Sequence, residues 1–195
     1  KPLRSDKKYQ WLEVMRGFAA VWVLLHHAHL TTNALAGPIE AAFAARGFLG
    51  VDFFFILSGF IITFSVTRML KNGRGANEYL LARFFRIYRP YLPIGLGMFL
   101  AYQLLPNMSA SERDIGFFTS ATLFPTAADT ALSVAWTLKH ELLFYVLFGT
   151  MFISRAAGKA VLASWFAFVA SSFITDAQYS SPFMQVAANP LNLWF

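Results

Sequence analysis

The sequence predicts an all-α fold, a polytopic transmembrane helical bundle, and two features of it support that prediction. Hydrophobic residues make up 57% of the 195 positions and charged residues only 13%, whereas soluble domains carry about 25% charged residues. The apolar residues are concentrated in five runs. Three of them are close to the length of about 20 residues that a helix needs to cross a bilayer, and the third and fifth are shorter. We therefore expect about five to six spanning helices in one integral-membrane domain that covers residues 1–195.

The apolar runs occupy residues 11–30, 48–70, 91–105, 136–153 and 160–174. Basic residues cluster before the first run and again between the second and third, as the positive-inside rule predicts for cytoplasmic segments. The first helix then runs outwards and the later helices alternate in direction. In this topology residues 115–124 form a short interfacial or re-entrant piece, because another crossing would place the basic linker at 154–159 outside. The acids Glu40, Glu112, Asp114 and Asp129 fall on the outer side.

Charge and cysteine content exclude several kinds of site. The net charge is +6, but its clusters flank apolar runs, which indicates membrane lipids rather than nucleic acid as partners. The sequence has no cysteine, which excludes disulfides, thiolate metal sites and a cysteine-bound acyl intermediate. The chain begins with Lys1 rather than Met and ends at the start of a new apolar run, so we expect a domain truncated at its C-terminus.

Arg16 and His27 are ionisable residues within the first apolar run. They are 11 residues apart, which on an α-helix is about three turns and roughly 16 Å of rise, so they share a face. Arg16 would lie near the cytoplasmic surface and His27 in the outer half of the membrane, where ionisable residues are candidates for function. Alternatively, Arg16 snorkels beside Glu13 and His27 is a packing residue. His26 lies on another face and is predicted to be interfacial.

Two further segments carry candidate chemistry. Arg83, Arg86 and Arg89 recur every three residues on a short helix that Pro90 is predicted to interrupt. They could hold phosphate groups by charge-assisted hydrogen bonds or anchor lipid headgroups. Glu141 lies near the outer end of the fourth run, at a depth similar to that of His27. A carboxylate there could orient the histidine, or it could pair with a neighbour on its own helix.

Four stretches together resemble one family: "LEVMRGFAAVWVLLHHAH", "GFLGVDFFFILSGF", "RFFRIYRP" and "WTLKHELLFYVLF". They are similar, in the same order, to the N-terminal half of the acyltransferase-3 family of membrane O-acyltransferases. The resemblance is strongest to the ExoZ-like bacterial members, which acetylate exopolysaccharide or O-antigen sugars. Such proteins are multi-pass proteins of the bacterial inner membrane.

The resemblance implies a reaction and a role for each candidate residue. An acyl group, usually acetyl from acetyl-CoA, passes to a hydroxyl of a glycan acceptor, without a metal ion. His27 would be the catalytic residue, acting as general base or carrying the acyl group itself, and Glu141 would orient it. Arg16, Arg86 and Arg89 would bind the phosphates of the acyl-CoA. The competing interpretations are a transporter or channel for a lipid-linked glycan and a membrane scaffold in which these residues only pack.

Overall fold

The computed structural model describes residues 7–105 and 113–195, without the side chains of residues 7–10 and Glu13. Regular structure in these ranges is helical, apart from one bridge between Ile115 and Asp129, so the predicted all-α class is confirmed. Lys1 and Glu112 lie outside the described residues. The α-helices are α1 (Lys7–Ala36), α2 (Ala42–Ala45), α3 (Leu49–Lys71), α4 (Ala76–Leu104), α5 (Phe117–Thr122), α6 (Trp136–Gly149), α7 (Arg155–Ile174) and α8 (Pro182–Ala187), and 3-10 turns occur at Ser133–Ala135, Thr150–Phe152 and Pro190–Trp194.

Two of these helices, α3 and α7, are long and apolar enough to cross a membrane. Helix α1 also exposes an apolar stripe that includes Val14, Phe18 and Val21, a face suited to lipid. Helix α6 has 14 residues and therefore rises only about 21 Å, less than the roughly 30 Å of a bilayer core. Five to six spanning helices are thus not confirmed, and the other crossings remain predictions.

Helix α4 continues through Pro90 and Pro93, so the prediction that Pro90 interrupts a short helix was wrong. Proline removes one backbone hydrogen bond and crowds the preceding turn, but neighbouring elements can compensate in membrane-type helices. Here the hydroxyl groups of Tyr88 and Tyr91, on either side of Pro90, donate to backbone carbonyls of α5. This anchoring keeps the arginine segment and the third apolar run on one helix.

The chain divides into two units. The first comprises the chain up to Ile61 together with Trp194–Phe195, and the second comprises Ile62–Leu193. In the second unit α4 packs on α5 and α6, and α6 packs on α7. Its core includes Tyr79 and Phe144, both with no exposed surface.

The first unit depends on a close approach between α1 and the turn that leads into α3. The indole N–H of Trp22 donates to the carbonyl of Phe43 at 2.8 Å, and the two rings stack with centroids 5.2 Å apart. A Cβ atom on Gly47 would lie 2.4 Å from the carbonyl oxygen of Trp22, and one on Gly50 would lie 2.9 Å from that of Ala19. Small residues at these two positions therefore let the backbones meet.

We expect Gly47→Ala to lower the free energy of unfolding by about 1–3 kcal/mol, the usual cost of overpacking, because the added methyl group would collide with backbone. The matched control is Gly17→Ala in α1, where a Cβ atom meets nothing within 4 Å and alanine favours the helix. Unfolding of both variants in detergent would be followed by circular dichroism. Equal stability of the two variants would contradict the close approach.

Candidate functional site

His27 is exposed on α1, and its ring orientation is set within its own helix. Its Nδ1 atom lies 2.9 Å from the carbonyl oxygen of Val23, one turn earlier. A carbonyl oxygen only accepts hydrogen bonds, so Nδ1 must carry the proton of this contact. In the neutral ring Nε2 is then the nitrogen with a lone pair, which is the form that a general base needs.

His26 has a structural role next to His27. Its Nδ1 atom lies 3.1 Å from the carbonyl oxygen of Ala44, which ties α1 to α2. The His26 ring also packs edge-on against His27 and Phe48, with centroid distances of 5.8 and 5.9 Å. The sequence pattern indicated only an interfacial residue. The signal that was missed is Gly47, whose lack of a side chain makes room for His26.

Arg16 lies on the same continuous helix as His27, as predicted. Its guanidinium group is half-buried and sits 4.8 Å above the ring of Phe54 on α3, a distance at which a cation and an aromatic face attract. Arg16 therefore contacts a neighbouring helix. The proposed pairing with Glu13 falls on a side chain outside the described residues.

Glu141 belongs to a buried polar cluster in the second unit. The residue is only 9% exposed, and its carboxyl group accepts a hydrogen bond from the hydroxyl of Tyr145, one turn later. The guanidinium of Arg83 lies 5.4 Å above the Tyr145 ring and 5.5 Å above the Tyr79 ring. The hydrogen bond from Tyr145 offsets part of the cost of desolvating the buried carboxyl group, and Arg83 contacts the ring of the same tyrosine.

Arg83 joins three helices at this cluster. It extends from α4, donates a hydrogen bond to the Ser65 hydroxyl of α3 and covers the Tyr145 ring of α6. Tyr79 is fully buried, and its hydroxyl has no hydrogen-bond partner among the described residues. Glu141 and His27 belong to different units, so the predicted pairing between them remains a prediction.

The three arginines of α4 therefore differ in their surroundings. Arg83 is directed into the cluster, whereas Arg86 and Arg89 are exposed. Arg89 lies 4.9 Å above the ring of Phe85 on the same helix. Exposed guanidinium groups one turn apart can bind phosphate oxygens, so the two predicted donor-binding residues of this helix are accessible to such a ligand. Within the described residues no three His, Asp or Glu side chains converge as a metal ion would require.

Comparison with known proteins decides the family. The family model described as an acyltransferase domain, Acyl_transf_3, matches residues 9–194. The chain belongs to the acyltransferase-3 family. This confirms the resemblance that the four sequence stretches indicated. It also agrees with a membrane location, which the two long apolar helices support.

One known protein is similar to the chain in sequence. The protein described as O-acetyl transferase from Shigella phage Sf6 is 27% identical to the chain over 195 residues. The alignment covers 90% of the chain and 57% of the phage protein, so the chain spans little more than half the length of that relative. No solved structure matches the chain.

In this acyltransferase-3 chain the matched region covers both local sites. It includes the helix that carries Arg16 and His27, the arginines of α4 and the cluster around Glu141. Sequence reasoning identified five of these positions, Arg16, His27, Arg86, Arg89 and Glu141, and grouped Arg83 with the other arginines of its series, although Arg83 is half-buried and the other two are exposed. Three-residue spacing turns each arginine by about 60° from the one before, so Arg83 and Arg89 are about 120° apart around the helix. The clue to the half-buried one was the pair of tyrosines, Tyr79 and Tyr145, whose rings it contacts.

Proposed function

We propose that this chain contributes to a membrane O-acyltransferase that transfers an acyl group, acetyl from acetyl-CoA, to a hydroxyl of a cell-surface or exported polysaccharide. The observation that carries the proposal is the Nδ1 contact of His27 with the Val23 carbonyl. It makes Nε2 the basic nitrogen of an exposed imidazole. Membership of the acyltransferase-3 family and similarity to a phage O-acetyl transferase supply the reaction class.

In the proposed reaction His27 first takes a proton as a base and then gives it to the leaving group. Nε2 of His27 takes the proton of the sugar hydroxyl while the hydroxyl oxygen attacks the thioester carbonyl carbon. The carbon–sulfur bond then breaks, and the departing sulfur receives the proton from His27. In the alternative route Nε2 first attacks the thioester carbonyl carbon, the carbon–sulfur bond breaks and CoA leaves as the thiolate. The sugar hydroxyl then attacks the acetyl group, the carbon–nitrogen bond breaks, and the hydroxyl proton passes to the thiolate. Glu141 stays a predicted orienting group, but the Val23 carbonyl already holds Nδ1 of His27, so the proposed base step does not depend on Glu141.

The acetyl-CoA donor would be held by cations at the inner surface. Acetyl-CoA is made in the cytoplasm and carries several phosphate groups, which favour clustered guanidinium groups. The exposed side chains of Arg86 and Arg89 suit this role, and Arg16 lies on the helix that leads to His27. In this proposal the enzyme is a multi-pass protein of the bacterial inner membrane, with a glycan acceptor on the outer side.

The proposed function is tested with membranes and isotope-labelled acetyl-CoA. Membranes from cells with the gene should incorporate labelled acetyl groups into the polysaccharide, and membranes from a deletion strain should not. Mass spectrometry of the surface polysaccharide should show that the deletion strain still exports the unmodified glycan. Loss of the surface glycan itself would favour a transporter instead, and unchanged acetylation would reject the enzyme.

The donor-binding role predicts a selective kinetic defect. We expect Arg86→Ala and Arg89→Ala each to raise the KM for acetyl-CoA about tenfold, the effect of losing one hydrogen bond to a charged group, with a smaller change in kcat. Arg74→Ala is the control, because among the described residues Arg74 pairs with Glu78 at the surface, with nitrogen and oxygen 3.8 Å apart. An unchanged KM in both α4 variants would remove these arginines from the donor site.

A further inference from the structure

The second unit contains two adjoining polar cavities that the proposed chemistry leaves unused. The larger one, about 480 Å³, lies between the loop before α6, the first turns of α6 and α8; its lining includes Asp129, Trp136, Lys139, His140, Gln185 and Asn189. The smaller one, about 310 Å³, lies between the end of α7 and α8; its lining includes Ser172, Asp176, Gln178 and Tyr179. Gln185 and Asn189 line both, so the two cavities meet at these amides.

The wall of the larger cavity is held by buried hydrogen bonds. Asn192 has no exposed surface, and its amide nitrogen donates to the carbonyls of Val186 and Ala187 at 2.7 and 3.1 Å. Its Oδ1 atom lies 2.8 Å from Nδ1 of His140, and Trp165 donates to the Ala187 carbonyl at 3.0 Å. These contacts fix α8 against α6 and α7, so the cavity is preformed and a ligand need not order it.

The two shared amides have defined hydrogen-bonding roles. The Nε2 atom of Gln185 donates to the Tyr179 carbonyl at 2.9 Å, which leaves its Oε1 atom as an acceptor for a ligand. The Oδ1 atom of Asn189 accepts a hydrogen bond from the N–H of Leu191 at 2.9 Å, which leaves its NH₂ group as a donor for a ligand. A ligand hydroxyl both donates and accepts, so one acceptor beside one donor suits it.

The remaining lining argues against other ligand classes. A polyphosphate would need several cations, but Lys139 shares the larger cavity with the carboxylate of Asp129. A lipid tail would need an apolar wall, yet polar side chains line both cavities. An aromatic ring, Trp136 in one cavity and Tyr179 in the other, offers an apolar face next to polar groups. A flat, neutral ligand that bears many hydroxyls meets these conditions.

We infer that the adjoining cavities form the acceptor-binding groove for a saccharide chain, with Gln185 and Asn189 at the junction of two sugar subsites. This inference rests on the proposed function and names the surface that would select the acceptor. Both volumes lie in the range of about 300–1,000 Å³ that is usual for small-ligand sites. The groove includes the start of α6, and the topology predicted from the sequence places this end of α6 on the outer side of the membrane. An exported glycan could bind there.

Direct binding tests the groove with the full-length protein purified in detergent. The probes are fragments of the host's own surface polysaccharide, de-acetylated with mild base and separated by size, and titration calorimetry gives the affinity. Wild-type protein should bind fragments of two or more sugars more tightly than single sugars. In Asn189→Asp the acceptor for the Leu191 N–H remains but the NH₂ donor is lost, so the affinity should fall about tenfold.

The control is Asn77→Asp, which makes the same chemical change at an exposed residue of α4 and should bind like wild type. The KM for acetyl-CoA should be unchanged in both variants. No binding of fragments to wild type, or equal affinity in Asn189→Asp, would overturn the groove. If the groove failed in this way but the deletion strain still lacked polysaccharide acetylation, the proposed function would stand. If the deletion strain still acetylated its polysaccharide, the proposed function itself would be wrong.

Discussion

Replacing His27 with glutamine is expected to lower the rate of acetyl transfer by about 10²–10⁴-fold, the contribution of a general base, while the glycan is still exported. Glutamine keeps a polar side chain of similar reach but has no basic nitrogen. The Val23 carbonyl that sets the histidine tautomer is unchanged in this variant. A loss of rate would therefore arise from the missing base, provided that the variant still folds.

His29→Gln is the matched control for this experiment. His29 lies two residues further along α1, where its Nε2 atom contacts the amide of Asn33 at 3.1 Å. Labelled acetyl incorporation and thermal unfolding would be measured for both variants. If both retained wild-type rates, His27 would be a packing residue as in a membrane scaffold. If both unfolded early, the loss of rate would be assigned to instability, and a His27→Asn variant would be tested next.

The same protein preparation distinguishes the two catalytic routes. With labelled acetyl-CoA and no acceptor, a histidine that carries the acyl group should gain the mass of one acetyl group, located on His27 by rapid quenching and peptide mass spectrometry. A direct transfer would leave the peptide unmodified under these conditions. The His27→Gln peptide should carry no label in either case.

The sequence was sufficient for the fold class and the family, and the reasons are physical. Long apolar runs with few charges have few stable arrangements other than helices in lipid, and the four motifs carried the resemblance. Helix periodicity alone predicted that Arg16 and His27 lie on one continuous helix, and both lie on α1. Helix periodicity gives the face of a residue, and the neighbour on that face depends on packing.

Packing explains where the sequence-based prediction failed. Pro90 has the strongest local tendency to interrupt α4, but tyrosine contacts with α5 hold the helix on both sides of it. Arg83 has the same side chain and spacing as Arg86, but two aromatic rings and the Ser65 hydroxyl lie next to it and make it half-buried. The tautomer of His27 depends on a rotamer, which a sequence pattern does not specify.

The pair Tyr145 and Tyr79 provides a sharp test of the cluster around Glu141. Both are buried phenols next to Arg83, but only the Tyr145 hydroxyl donates to the carboxyl group. Tyr145→Phe should lower the free energy of unfolding by about 1–3 kcal/mol, the cost of an unsatisfied buried polar group. If Glu141 supports catalysis, kcat should fall as well.

Tyr79→Phe removes the same atom from the neighbouring ring, whose centroid lies 6.4 Å from that of Tyr145, and serves as the control. Its hydroxyl has no hydrogen-bond partner among the described residues, and a buried hydroxyl without a partner costs free energy to desolvate. This variant should therefore be at least as stable as wild type, with kcat unchanged. Equal losses of stability in both variants would show that ring packing rather than the hydrogen bond to Glu141 holds the cluster. A selective loss in Tyr145→Phe would make the carboxyl group of Glu141 the reason that a phenol is required at this position.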